Sequence, residues 1–95
     1  MSYSFLKDND LFQTGYLADG QWHSLGENFD VLNPATGETI ASVAKAGKSE
    51  TEQAIAAAQR AFPGWRSKTA KERAEILYRW YQLMIENKSW LGKLM

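Results

Sequence analysis

The sequence has no cysteine, which removes disulfide staples, thiolate metal sites and a cysteine nucleophile from this chain. Histidine occurs once, at His23. Zinc sites usually draw on about four ligands, so one imidazole builds none, and His23 is expected as a surface or half-buried strand residue. An excess of either charge is also missing, since eleven Lys and Arg offset eleven Asp and Glu. The broad positive field that attracts nucleic acid is therefore absent, and a DNA or RNA partner is not expected. No apolar run approaches the roughly 20 residues of a membrane span. Met1–Asp10 lacks the apolar stretch and cleavage site of a signal peptide. The expectation is a cytoplasmic protein without a membrane partner. The seven glycines never fall into G-x-G-x-x-G or G-x-x-x-x-G-K-[ST], so no phosphate-cradling loop is legible. Nor is there an internal repeat or a Gly/Ser/Pro-rich linker.

What is present is ordinary for a folded protein: 44% hydrophobic and 23% charged residues in a chain of 95. That length makes one domain at most, with a modest core. Residues 1–14 mix aromatics with Lys7, Asp8, Asn9 and Asp10 without a clean period, and read as a loosely held arm with a short turn near Leu6–Phe12. Residues 15–48 read as strands. Asp19-Gly20 lies between Tyr16-Leu17 and Gln21-Trp22-His23, the signature of a two-residue type I′ hairpin, whose turn positions both need positive φ. A second pair is expected from Phe29–Leu32 and Thr39–Ala44, joined through Asn33-Pro34-Ala35-Thr36-Gly37-Glu38. Phe29 and Val31 alternate with Asp30, the period of a half-buried strand.

Residues 49–95 read as helical. Ser49 and Glu52 fit a capping box, with Ile55, Ala58 and Phe62 on one stripe and Pro63-Gly64 as the stop. Thr69 and Glu72 repeat the box. After them Ile76, Leu77, Trp80, Leu83 and Met84 form a broad apolar face, with Glu75 and Arg79 paired at i, i+4 outside it. Ser89 is placed to cap a third helix carrying Trp90, Leu91, Leu94 and Met95, which reads as an element interrupted at Met95. The fold class is thus an α+β segment: two short antiparallel strand pairs followed by two to three amphipathic helices.

Chemistry is thin. Ser49, Thr69 and Ser89 are explained by capping rather than nucleophilic catalysis. Glu50, Glu52, Glu72 and Glu75 fall in or beside first helical turns, where the dipole favours acids. Trp22, Trp65, Trp80 and Trp90 are better explained by packing than by a ligand cage. No catalytic, cofactor-binding or metal-ligating residue is assigned. Hydrophobic side chains stand out instead: Phe29, Phe62, Trp65, Trp80, Tyr81, Trp90 and Leu94 exceed what two marginal ribbons and two helices can hide. The segment is expected to dock onto more protein.

Several of these pieces, taken in order, resemble the beginning of the aldehyde dehydrogenase superfamily. They are Gly20-Gln21-Trp22, then Val31-Leu32-Asn33-Pro34-Ala35-Thr36-Gly37-Glu38 with Ile40 and Val43, then Phe62-Pro63-Gly64-Trp65-Arg66, then Glu72-Arg73 with Ile76-Leu77. The resemblance covers the chain from about Gly15 to Met95. Within the family, Leu6–Phe12 and Leu83–Asn87 look most like bacterial succinate-semialdehyde dehydrogenases. The resemblance implies the opening part of an α/β cofactor-binding domain. It further implies, for a complete chain, oxidation of an aldehyde by a cysteine thiolate with NAD or NADP, a glutamate base, an asparagine in the oxyanion hole, and homo-oligomeric assembly. None of those catalytic residues is identified here. Some members hold a monovalent cation through backbone carbonyls corresponding to Val31 and Leu32, but the remaining ligands are lacking and no metal is assigned. The chain alone is expected to be an inactive scaffold fragment whose partner is the remainder of a dehydrogenase chain or another subunit. The alternative is an independent helical interaction module without catalysis.

Overall fold

The structure is a computed structural model, and it describes residues 3–95. A single 3-10 turn, Ser4–Asp8, precedes four strands and three helices. The strands are β1 (Tyr16–Ala18), β2 (Gln21–His23), β3 (Asn28–Leu32) and β4 (Thr39–Ala44). The helices are α1 (Lys48–Arg66), α2 (Ala70–Glu86) and α3 (Lys88–Leu94). Among the described residues, strands pair only with their sequence neighbours, β1 with β2 and β3 with β4. The α+β architecture expected from the periodicities is the one observed. By contacts the chain divides into two compact units, Met1–Arg60 and Ala61–Met95.

In the first unit, Asp19 and Gly20 have φ of 55° and 72°, the paired left-handed conformation of a type I′ turn. They set the β1–β2 register as Tyr16↔His23, Leu17↔Trp22 and Ala18↔Gln21. The turn type matches the right-handed twist of the strands, which is why Asp-Gly could be read from the sequence. β3 and β4 pair antiparallel with Phe29↔Val43 and Val31↔Ala41, and the register shifts between Val31 and Leu32. The intervening loop closes on Asn33. Its N–H donates to the Glu38 carbonyl at 2.8 Å, and its carbonyl accepts from Gly37 N–H at 2.7 Å. Its side-chain oxygen accepts from Ala35 N–H at 2.8 Å, an Asx turn. Gly37 sits at φ 76°, where a Cβ would be strained.

The half-burial expected of β3 is not observed. Every residue of β3 is exposed, whereas Ile40, Ala41, Val43 and Ala44 of β4 are half-buried. Alternation identifies a strand, but which face is covered depends on what packs there. The residues before the hairpin are, conversely, better anchored than their mixed composition suggests. Leu6 is only 3% exposed, Asn33 Nδ2 donates to the Tyr3 hydroxyl at 2.8 Å, and Ala44 N–H donates to the Thr14 carbonyl at 2.8 Å. The short turn falls at Ser4–Asp8, earlier than expected.

α1 starts one residue before the expected cap. Gly47 N–H donates to the Glu50 carboxylate at 3.1 Å, and the Gly47 carbonyl accepts from the Thr51 hydroxyl at 2.8 Å. Ser49 already lies inside the helix, so the Ser49/Glu52 box does not form and Glu50 takes the reaching-back role. Glu52 instead lies 3.9 Å from Lys48 Nζ in an exposed i, i+4 pair. Pro63-Gly64 does not stop α1 either; the helix continues through Pro63 to Arg66. A proline this close to the C-terminal end forfeits one intrahelical N–H bond with few turns left to disrupt. Ser67 N–H to the Pro63 carbonyl at 3.0 Å and Lys68 N–H to the Trp65 carbonyl at 3.1 Å complete the exit.

In the second unit, the Thr69/Glu72 box forms in full. Glu72 N–H donates to Thr69 Oγ1 at 3.1 Å, and Thr69 N–H donates to the Glu72 carboxylate at 3.0 Å. α2 ends where Asn87 returns both its amide side chain, at 2.8 Å, and its backbone N–H, at 3.1 Å, to the Leu83 carbonyl. α3 follows directly and begins at Lys88, so Ser89 is inside it and caps nothing. The ion pairs among the described residues are Lys45–Glu27, Lys48–Glu52 and Arg60–Asp19. The expected Glu75–Arg79 pair is not among them. Both side chains are solvated, where such a pair contributes about 0.5 kcal/mol at most.

Candidate functional site

His23 is half-buried in β2, as expected. Its ring stacks on Tyr16 across the ladder, with centroids 5.0 Å apart, and its Nε2 lies 3.1 Å from the Ala18 carbonyl. An N–H directed at that carbonyl is engaged in holding the hairpin. Beside it, Ala18, Asp19, His23, Gln53, Ala57 and Arg60 line a cleft of about 270 Å³. Arg60 reaches Asp19 at 3.8 Å, and Ala57, 6% exposed, is small enough to let the hairpin approach α1. Of the polar groups here, Asp19 and Arg60 pair with each other and His23 reaches backbone, and the lining residues include no hydroxyl or primary amine.

A second cleft, of about 350 Å³, is lined by Tyr3, Leu6, Phe12, Thr14, Ile40 and Ser42 among others. Its lining residues include hydroxyls and one lysine, Lys7, but no histidine or carboxylate. Among the described residues, no group of three His, Cys, Asp or Glu side chains is placed to hold a metal. Val31 and Leu32 lie at the end of β3, at the register shift beside the Asn33 loop.

The Glu72 carboxyl is held below the ordinary carboxylate range, first by the Thr69 backbone N–H and then by the Thr69 hydroxyl, with a smaller contribution from Lys68. That is the signature of a cap rather than of an acid tuned for catalysis. The same observation bears on a nucleotide. Phosphates are usually received by bare N–H groups at a helix N-terminus. At α1 the Gly47 N–H is taken by Glu50, and at α2 the Thr69 N–H is taken by Glu72. The starts of α1 and α2 thus each carry their own carboxylate, whereas α3 has no side-chain cap.

The prominent surface is apolar. At 3.6 residues per turn, Ile76, Leu77, Tyr78, Trp80, Tyr81, Leu83, Met84 and Ile85 occupy about two-thirds of the circumference of α2. Lys71, Glu72, Glu75, Arg79, Gln82 and Glu86 form a polar strip on the remainder, and Arg73 interrupts the apolar side between Trp80 and Met84. Such a helix is suited to cover on more than one side. Yet no residue of α2 or α3 is buried, and Trp80 is 59% exposed. Trp80 therefore lies on the apolar face read from the sequence but not in a core. The same holds for Phe29, Phe62, Trp65, Tyr81 and Leu94, all exposed.

Two ribbons and three helices with their apolar faces open define an α+β segment whose hydrophobic surface exceeds its own core. Comparison with known proteins identifies the family. Residues 22–95 match the aldehyde dehydrogenase family, and the chain belongs to it. Over 92 residues it is 50% identical to 3-sulfolactaldehyde dehydrogenase of Pseudomonas putida, covering 95% of this chain and 19% of that protein. It is 49% identical to the NADP(+) succinate-semialdehyde dehydrogenase of Escherichia coli K12 over the same shares. A crystal structure of an E. coli NADP-dependent enzyme superposes with a TM-score of 0.85 at 49% identity, over 90% of this chain and 18% of that one. The chain thus spans about one-fifth of the length of the relatives it matches. The two named relatives act on different aldehydes, yet this segment is almost equally similar to both.

Proposed function

We propose that this chain is the scaffold segment of a cytoplasmic, homo-oligomeric dehydrogenase that oxidises an aldehyde, succinate semialdehyde or a close relative, to the acid with NAD(P)+, and that residues 1–95 alone turn nothing over. The observation that carries this reading is the family match over residues 22–95 in a chain without cysteine. In the family's reaction, a cysteine thiolate adds to the aldehyde and hydride passes to the nicotinamide. Water then releases the acid from the thioester and returns the thiolate. This chain has no cysteine to supply that thiolate. Its contribution is to present the capped helices and ribbons against which such a site is built. Its near-equal similarity to relatives with different substrates fits a segment that supports the site rather than selecting the aldehyde.

The test has two arms. The 95-residue chain mixed with NAD+ or NADP+ and succinate semialdehyde is expected to give no reduced nicotinamide above blank; sustained turnover would overturn the assignment as scaffold. The same residues, joined in frame to the remaining four-fifths of the E. coli relative, are expected to give a soluble enzyme that reduces NADP+ with succinate semialdehyde. A soluble but inactive fusion would count against the proposed role.

A further inference from the structure

We draw no further inference here: the strongest candidate, the exposed apolar face that α2 and α3 present through Leu77, Trp80, Tyr81, Met84 and Leu94, has nothing in the structure to show what covers it, and the one occupant the comparisons suggest, the rest of an aldehyde dehydrogenase chain, restates how that family's fold is built.

Discussion

The two units of this chain are stabilised in different ways. Met1–Arg60 has long-range ties of its own: Tyr3 to Asn33, Thr14 to Ala44, Asp19 to Arg60, and, among its described residues, the buried side chains of Leu6 and Ala57. Ala61–Met95 has well-formed local structure, a complete capping box and an Asn87 exit, but no buried side chain at all. The contrast separates two things that usually come together. Caps and turns specify where a helix begins and ends, whereas burial supplies most of the stability that keeps it folded. The second unit has the former without the latter.

The largest expected effect that tests this contrast is at Trp80. In a longer protein that covers α2, Trp80→Ala is expected to cost about 3 to 5 kcal/mol by loss of a large buried side chain. In the 95-residue chain, where Trp80 is 59% exposed, it should change stability by no more than about 0.5 kcal/mol. Denaturant titration of both proteins checks this, and equal effects in the two would break the comparison. Leu6→Ala should show the opposite pattern, costing about 2 to 5 kcal/mol already in the 95-residue chain. Amide exchange would report it as lost protection at Ala44 and Asn33 rather than in α2; an effect spread evenly over both units would mean they are not separate.

Smaller effects sharpen the local picture. A Cβ at Gly15 would collide with the backbone carbonyl of His23, which cannot swing aside without disturbing the β1–β2 pairing. Gly15→Ala is therefore expected to cost about 1 to 3 kcal/mol and to remove the Tyr16–His23 ring stacking from NMR spectra, while leaving α2 amides unchanged. At α2, Thr69→Ala removes one side of the box and should cost about 1 kcal/mol, read as fraying of the first turn. The box also confers pH dependence. Because Glu72 is depressed in the folded state, its contribution is fully present above the ordinary carboxylate range and is lost as pH falls through the folded value. Helicity of α2 should decline on acidification in the native chain. Glu72→Gln keeps the reach to Thr69 but does not titrate, and should flatten that decline.

Much of the fold was legible because its signals are short-ranged. Asp19-Gly20 admits few hairpin geometries, Asn33 and Gly37 close a six-residue loop from within, and Thr69 and Glu72 satisfy each other across one helical turn. Readings that relied on a neighbour's position were less secure. Pro63-Gly64 looked like a stop, but so near the end of α1 a proline removes too little to terminate it. Ser49 looked like a cap, but Glu50 could equally serve Gly47, and the helix began one residue sooner. The Tyr3–Asn33 bond had no sequence signal, because its partners are 30 residues apart and belong to no shared period. As for a site, the lack of cysteine and of a glycine-rich phosphate loop was plain from composition and spacing. That the start of α1 is closed by Glu50 on the Gly47 N–H, rather than by Ser49 and Glu52, could be seen only in three dimensions.

By itself, then, the sequence determined the order of elements, the hairpin register, the α2 cap and the family. Each of these depends on residues within a turn or two of one another, or on an ordered set of short motifs. Tertiary structure decided which apolar residues are covered. It placed Leu6 and Ala57 inside and left Trp80, Phe29 and Phe62 in solvent. Periodicity marks the side of a helix or strand that favours burial, but burial itself requires a second surface, and that surface is not encoded in the period.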